Sequence, residues 1–301
     1  MEFRKLKIVE LLKNIRFVEY PFYWHYKKDF TFKIVTPQET VDLLKTNKKS
    51  LARFGDGEMN IMFNQRGIGF QKYDADLADE LLSLVDNKLE NLFLALPHGF
   101  VSTSLYKASI KFFWWNYVSK NHKRISTGFN EVPVYLDTNF SRTVTELKNK
   151  TDIQKHVMAT KGLWKHRNVL VIEGKDTKFG VNNDLLEESR SVKRIVGPQK
   201  DAYTKIDEME MAAVEYGKRS DDLLVLLALG PTATVLSARL ARAGLQAIDI
   251  GHFDLQYEYF IRNSFKRIPI PTKFNNELAN SMPVEKVYNQ DYEKQILMRI
   301  K

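Results

Sequence analysis

The chain has 301 residues, 44% hydrophobic and 12% aromatic, with 46 Lys and Arg against 37 Asp and Glu for a formal net charge of +9. That apolar share fills the core of one large domain or two modest ones and excludes general disorder, while the absence of cysteine excludes disulfides, thiolate metal sites and a cysteine nucleophile. No apolar run approaches the ~20 residues of a membrane span and charges interrupt the N-terminal apolar stretches throughout, so a cytoplasmic protein is expected, its positive excess suited to an anionic partner such as nucleic acid, a membrane surface or a phosphorylated substrate.

Residues 1–28 combine Arg4, Lys5, Lys7, Lys13 and Arg16 with apolar positions recurring every three residues from Phe3 to Ile15, followed by Tyr20, Phe22, Tyr23 and Trp24. This pattern reads as a basic amphipathic helix and an aromatic segment, which either dock on the protein's own core or rest weakly on an anionic membrane. Thr36-Pro37-Gln38-Glu39 starts a helix with a capping box and ends it near Asn47. Leu51–Phe54 forms a short strand that delivers Arg53-Phe54-Gly55-Asp56-Gly57-Glu58. Asp74 caps a helix carrying Leu77, Leu81, Leu82 and Val85, and Leu92–Leu96 is a strand stopped by Pro97.

The second half alternates more regularly. Val169–Ile172 and Leu223–Leu229 are wholly apolar and read as central strands buried on two faces. Between them fall a short helix after Asn182-Asn183-Asp184, a strand over Val192–Val196 and a helix from Ala202 to Lys218. A helix over Thr232–Ala243 ends at Gly244, and Ala247–Ile250 is the next strand. The alternation predicts an α/β fold with a largely parallel sheet. No repeat or flexible linker forces a boundary, so residues 36–301 read as one catalytic domain behind an N-terminal segment, 1–35.

Several polar clusters fall at strand ends, where α/β sheets bind ligands. Asp56 and Glu58 are separated by one residue, so in a strand or tight turn both carboxylates point the same way and suit a divalent cation. Gly55 and Gly57 let the backbone approach a ligand. A plain Gly-Asp-Gly turn accounts for the same letters. Gly230-Pro231-Thr232-Ala233-Thr234 is a strand-to-helix turn with two hydroxyls at the first helical turn: either a diphosphate cradle or a threonine-capped connection, and neither a Walker nor a dinucleotide motif. His252, Asp254 and Glu258 follow the next strand, with the two acids four residues apart on one helix face. They suit a metal or a general base, although a capping histidine is the commoner arrangement. Asn183 and Asp184 cap a helix or read a base or sugar hydroxyl, and Arg190 and Arg194 offset phosphate charge.

The ordered set RFGDGE, VIEGKDTKFGVNNDL, RIVGP, LLALGPTATVL, QAIDIGHFDLQYEYF and PTKFNNE resembles the bacterial GT-D glycosyltransferases, a family first catalogued as a domain of unknown function. It runs from about residue 36 to about 276. The resemblance implies a single Rossmann-like catalytic domain, a nucleotide-sugar donor and a cell-surface glycan, lipid-linked glycan or glycoprotein acceptor. It also implies an acid-x-acid pair, here Asp56 and Glu58, acting through a divalent metal, and a basic residue within KDTKFG, either Lys175 or Lys178. A UDP-hexose donor with Mn²⁺ or Mg²⁺ is therefore expected. His252 is expected beside the metal pair, and Arg53, Gly55, Asn183, Asp184, Arg194 and the Gly230–Thr234 turn are expected to hold the donor, with Asp254 the first candidate base and Glu258 and His252 behind it. Nucleic acid is not expected as a partner. The readings from other classes are a metal-dependent phosphoesterase or nuclease, and a non-catalytic module for anionic surfaces.

Overall fold

Nine strands, every pairing parallel, carry the described part of the chain in a computed structural model that describes residues 17–86, 89–275, 284–285 and 288–301. In chain order they are β1 (Lys33–Ile34), β2 (Ser50–Arg53), β3 (Leu92–Leu96), β4 (Val134–Asp137), β5 (Asn168–Gly174), β6 (Ser191–Gly197), β7 (Leu223–Ala228), β8 (Gln246–Asp249) and β9 (Ile296–Arg299). They lie side by side as β1-β4-β3-β2-β8-β7-β5-β6-β9. β5 and β7 pair over six residues at the centre of the right half, and their apolar side chains are fully covered by helices on both faces, as their sequences require.

The capping chemistry forms as the letters predict. Thr36 accepts from the Glu39 amide while Glu39 accepts from the Thr36 amide at 2.8 Å, Asp74 accepts from Leu77 N at 3.1 Å, and Gly244 takes φ +83° behind the helix Pro231–Arg242. Two readings change. No helix follows Asn182-Asn183-Asp184; the segment is a run of turns in which Asn182 adopts φ +62° and Asn183 Oδ1 accepts from Leu185 N. Leu82, expected in a buried stripe, is 40% exposed. The stretch between Pro97 and Val169 adds a 22-residue helix, Ala108–Phe129, then β4 and the helix Lys150–Lys161.

Residues 3–15 lie outside the described part. The aromatic segment after them is the helix Glu19–Tyr26, which docks on Ala108–Phe129. Tyr23 is buried, Tyr20 meets Trp115 at 4.8 Å, and Tyr26 stacks on His122 at 3.8 Å.

What positions the site is the strand order. From β2 the chain moves outward through β3 and β4, whereas β8 reaches the seam from the other half and the chain then leaves it for the far edge at β9. Connections thus diverge from the β2/β8 pair, and a crevice opens beyond the carboxyl ends of such strands.

Candidate active site

A cleft of about 530 Å³ occupies that crevice. Arg53, the last residue of β2, sits at its floor. Its Nη2 binds Asp249 Oδ1 at 2.7 Å across the seam, and its Nη1 donates to Thr138 O at 3.1 Å and Ser141 Oγ at 2.9 Å. The guanidinium therefore ties together the ends of β2 and β8 and the turn after β4. Gly251 is required beside it: the residue has φ +54°, and a Cβ would stand 2.2 Å from Arg53 Nη2.

Asp56 and Glu58 both line the cleft, but not as a strand pair. The helix Asp56–Asn64 starts at Asp56, so the two side chains leave its axis roughly 200° apart rather than side by side. Asp56 is exposed, and its carboxylate has no hydrogen-bond partner among the described residues. Glu58 is half-buried and accepts from Gly55 N at 2.7 Å, capping its own helix. Burial, and secondarily Asp249, pushes the Glu58 carboxyl up to about 7.

At the end of β7, Gly230 takes φ +59° against Phe70, where a Cβ would stand 2.3 Å from the ring. Gly230 and Pro231 line the cleft. Thr232, Ala233 and Thr234 do not: all three are fully buried. The Thr234 hydroxyl binds Arg53 O at 2.9 Å and the Thr232 hydroxyl reaches Gln71 at 3.4 Å. The expected hydroxyl contacts are thus used inside the fold, which leaves Gly230, Pro231 and the backbone of the turn to face a ligand.

His252, Asp254 and Leu255 line the wall after β8. Asp254 and Glu258 do share a helix face, and that face is buried around a lysine. Lys273 Nζ meets both Asp254 oxygens at 2.7 Å and Glu258 at 3.3 Å, with Gly180 N on Asp254 and Asn183 Nδ2 and Arg262 on Glu258. Burial raises the Asp254 carboxyl and Lys273 opposes that shift. Among the described residues no group of three or more His, Cys, Asp or Glu side chains could hold a metal ion by itself, so Asp56, Glu58 and His252 share a cleft without forming a three-ligand cage.

Asn183, Asp184 and Arg194 are not brought to this cleft. They border a second depression of about 490 Å³ with Tyr292 and Gln295. There Arg194 is buried against Glu173 at 2.7 Å and Gln295 at 2.7 Å, and Asp184 binds Lys161 and Tyr257, each at 2.6 Å. Neither Lys175 nor Lys178 lines the main cleft. Residues that the sequence reading missed do: Phe113, Asn139, Arg142, Glu146 and Arg267. They come from the unassigned stretch between Pro97 and Val169 and from the loop after the helix Phe253–Ile261, where no local pattern marked them. Lys273 lay inside a noted motif, PTKFNNE, but nothing in the local pattern marked it as buried.

A family model, glycosyltransferase GT-D fold, matches residues 51–278, from β2 through the Lys273 segment. The chain belongs to this GT-D fold family. A solved domain described as "the highly conserved domain of unknown function 1792" with "a distinct glycosyltransferase fold" superposes with a TM-score of 0.85 at 30% identity, covering 94% of this chain and 100% of that one. Another, described as a new glycosyltransferase from Streptococcus sanguinis, gives 0.83 at 30% identity over 90% of this chain and 100% of that one. The "Probable glycosyl transferase Gly" of Streptococcus gordonii is 32% identical over 270 residues, and the "Glycosyltransferase GlyD" of Streptococcus pneumoniae serotype 4 is 30% identical over 263. These matches take in 89% and 87% of the GT-D chain but only 39% and 32% of the relatives' lengths.

Proposed function

We propose that this GT-D domain is a glycosyltransferase that moves a hexose from a UDP-sugar to a glycan, lipid-linked glycan or glycoprotein acceptor of the bacterial surface. The observation that carries the reading is Asp56: an exposed carboxylate at a helix start, across the β2/β8 seam from the Gly230-Pro231 turn, in a cleft of the size that takes a nucleotide sugar. Helix starts and glycine turns suit a diphosphate because their backbone N–H groups face outward.

The donor set fits a divalent ion only in part. Mg²⁺ and Mn²⁺ are commonly held by one or two carboxylates plus substrate phosphates; Asp56 supplies one such carboxylate, while Glu58 leaves the helix in another direction and caps Gly55 N. When bound, such an ion neutralises the leaving diphosphate. Arg53 keeps the strand ends fixed under the donor, and Gly251 keeps Arg53 in place. Asp254 lines the cleft with both oxygens held by Lys273, so as a base it would act only as that lysine shifts; as it stands, the pair anchors residues 271–275 on the wall. No described helix is long and apolar enough to cross a membrane, and the reading places the enzyme in the cytoplasm, with weak contact at the inner membrane face.

The experiment is UDP release from a panel of UDP-hexoses with Mn²⁺, with and without saccharide acceptors. Acceptor-stimulated release that disappears in Asp56→Asn supports the reading. Phosphate release without any sugar donor would point instead to a phosphoesterase.

A further inference from the structure

The sheet order works as a ruler along the cleft. Gly174, Pro198 and Gln199 mark its β5/β6 end, Gly230, Gly251, Gly55 and Asp56 its middle, and Thr138 and Asn139 its β4 end. With the diphosphate at Asp56 and Gly230, the nucleoside has an aromatic neighbour toward β6. Phe70 packs on Gly230 there, and its carbonyl accepts from Asp201 N just beyond β6. The β4 end is then left over, and its wall is made by the start of the helix Ala108–Phe129.

Resting on the glycosyltransferase reading, we infer that this β4 end is the acceptor subsite and that it takes a neutral pyranose on the ring of Phe113. Phe113 is 44% exposed while it lines the cleft, so its ring is open to a ligand there. Its ring is held in place. Trp114 meets it edge-on at 4.8 Å and Tyr117 stacks beside it at 5.9 Å. Trp114 lies so close to Gly99 that a Cβ there would stand 2.3 Å from the indole. Tyr117 also links this aromatic group to the acid motif, because its hydroxyl donates to Met59 Sδ at 3.4 Å on the helix Asp56–Asn64. The platform therefore adjoins the reacting end of the donor.

A rigid aromatic face with a few polar groups at its edge suits a sugar, which has an apolar C–H face and a rim of hydroxyls. Asn139 and the Arg142–Glu146 pair, at 3.2 Å, supply that rim. Arginine and glutamate cancel each other's charge locally, so the rim favours hydroxyls over a carboxylate or phosphate.

The test combines saturation-transfer NMR of the full chain with methyl glucoside, methyl galactoside and methyl N-acetylglucosaminide, and calorimetric titration with UDP. At least one glycoside should give signal with the wild type. Phe113→Ala should weaken that binding, and raise the acceptor KM, by ~10-fold, and Phe113→Tyr should restore both. UDP affinity should stay within about twofold in each variant. Saccharide signal that is absent from the wild type or unmoved by Phe113→Ala overturns the assignment. So does a parallel loss of UDP affinity, which makes Phe113 the nucleoside's platform. Failure of UDP to bind the wild type overturns the donor reading instead, a result separate from the saccharide signal.

Discussion

Asp56 and Glu58 stand two residues apart, yet their surroundings divide the work between them. Asp56→Asn removes an exposed charge whose role in the fold is at the first turn of its helix, so transfer should fall by roughly 10²-fold or more while the melting temperature changes little. Glu58→Ala removes the carboxylate that caps Gly55 N and should lower stability by about 1 kcal/mol, read by denaturant titration. Unchanged turnover in Asp56→Asn would return the motif to the status of a turn. Asp137 gives a pH signature. It is fully buried at the end of β4 with Oδ1 accepting from His98 N and Asn139 N, and burial pushes its carboxyl up to about 7. A raised carboxyl binds its proton more tightly in the folded state. Its contribution to stability is therefore complete below the unfolded value and is lost as pH rises through about 7. Asp137→Asn keeps the acceptor oxygen and removes the titration, so the variant should gain on the wild type between about pH 4 and about pH 7. Glu58 titrates in the same direction, so the difference in melting temperature between the two proteins, not the absolute curve, is the quantity to follow.

The segment 271–275 is held on the cleft wall by the Lys273 side chain between Asp254 and Glu258, with Phe274 N on Asp176 O and Asn275 Nδ2 on the Tyr259 hydroxyl. Lys273→Met would leave Asp254 buried without its cation while Glu258 keeps Arg262 and Asn183, at a cost of roughly 3–5 kcal/mol, and hydrogen exchange in 271–275 should accelerate along with the loss of stability. At the other end of the chain, Arg4, Lys5, Lys7, Lys13 and Arg16 precede a docked helix that still exposes about half of Phe22 and Trp24. Each cation contributes on the order of 1 kcal/mol near an anionic leaflet. Deleting residues 1–18 should abolish sedimentation with anionic vesicles and spare transfer to a soluble acceptor; a full-length protein that ignores such vesicles at low salt removes the membrane reading. Elements were legible in the sequence where local chemistry decides them: β5 and β7 by unbroken apolar runs, the helices after Thr36 and Asp74 by their caps. The helix Ala108–Phe129 was not, because its buried Trp114, Trp115, Val118 and Ile125 alternate with lysines, asparagines and the exposed Phe113, which blurs the helical period.

Across the described residues, nine parallel strands bring to one crevice residues that the chain keeps far apart: Arg53 and Gly251, Asp56 and Gly230, Phe113 and Glu146. The fold class followed from the alternation of strand and helix, and the cleft's middle from the motifs at strand ends. The inward turn of Thr232 and Thr234, the capture of Asp254 by Lys273 and the removal of Arg194 to a separate depression depend on partners distant in sequence, so no local pattern could express them. The charge of +9 is consistent with a phosphorylated donor, though the cleft itself sets acids and arginines side by side. We propose that this cleft binds a nucleotide-sugar diphosphate through Asp56 and a divalent ion. Calorimetric titration of the full chain with UDP, in Mn²⁺ and in excess chelator, tests it most directly. Binding should weaken by at least about tenfold in chelator, and an Asp56→Asn variant should bind equally weakly in both conditions. Equal affinity of the wild type with and without Mn²⁺, or an Asp56→Asn variant that keeps the metal dependence, would contradict it.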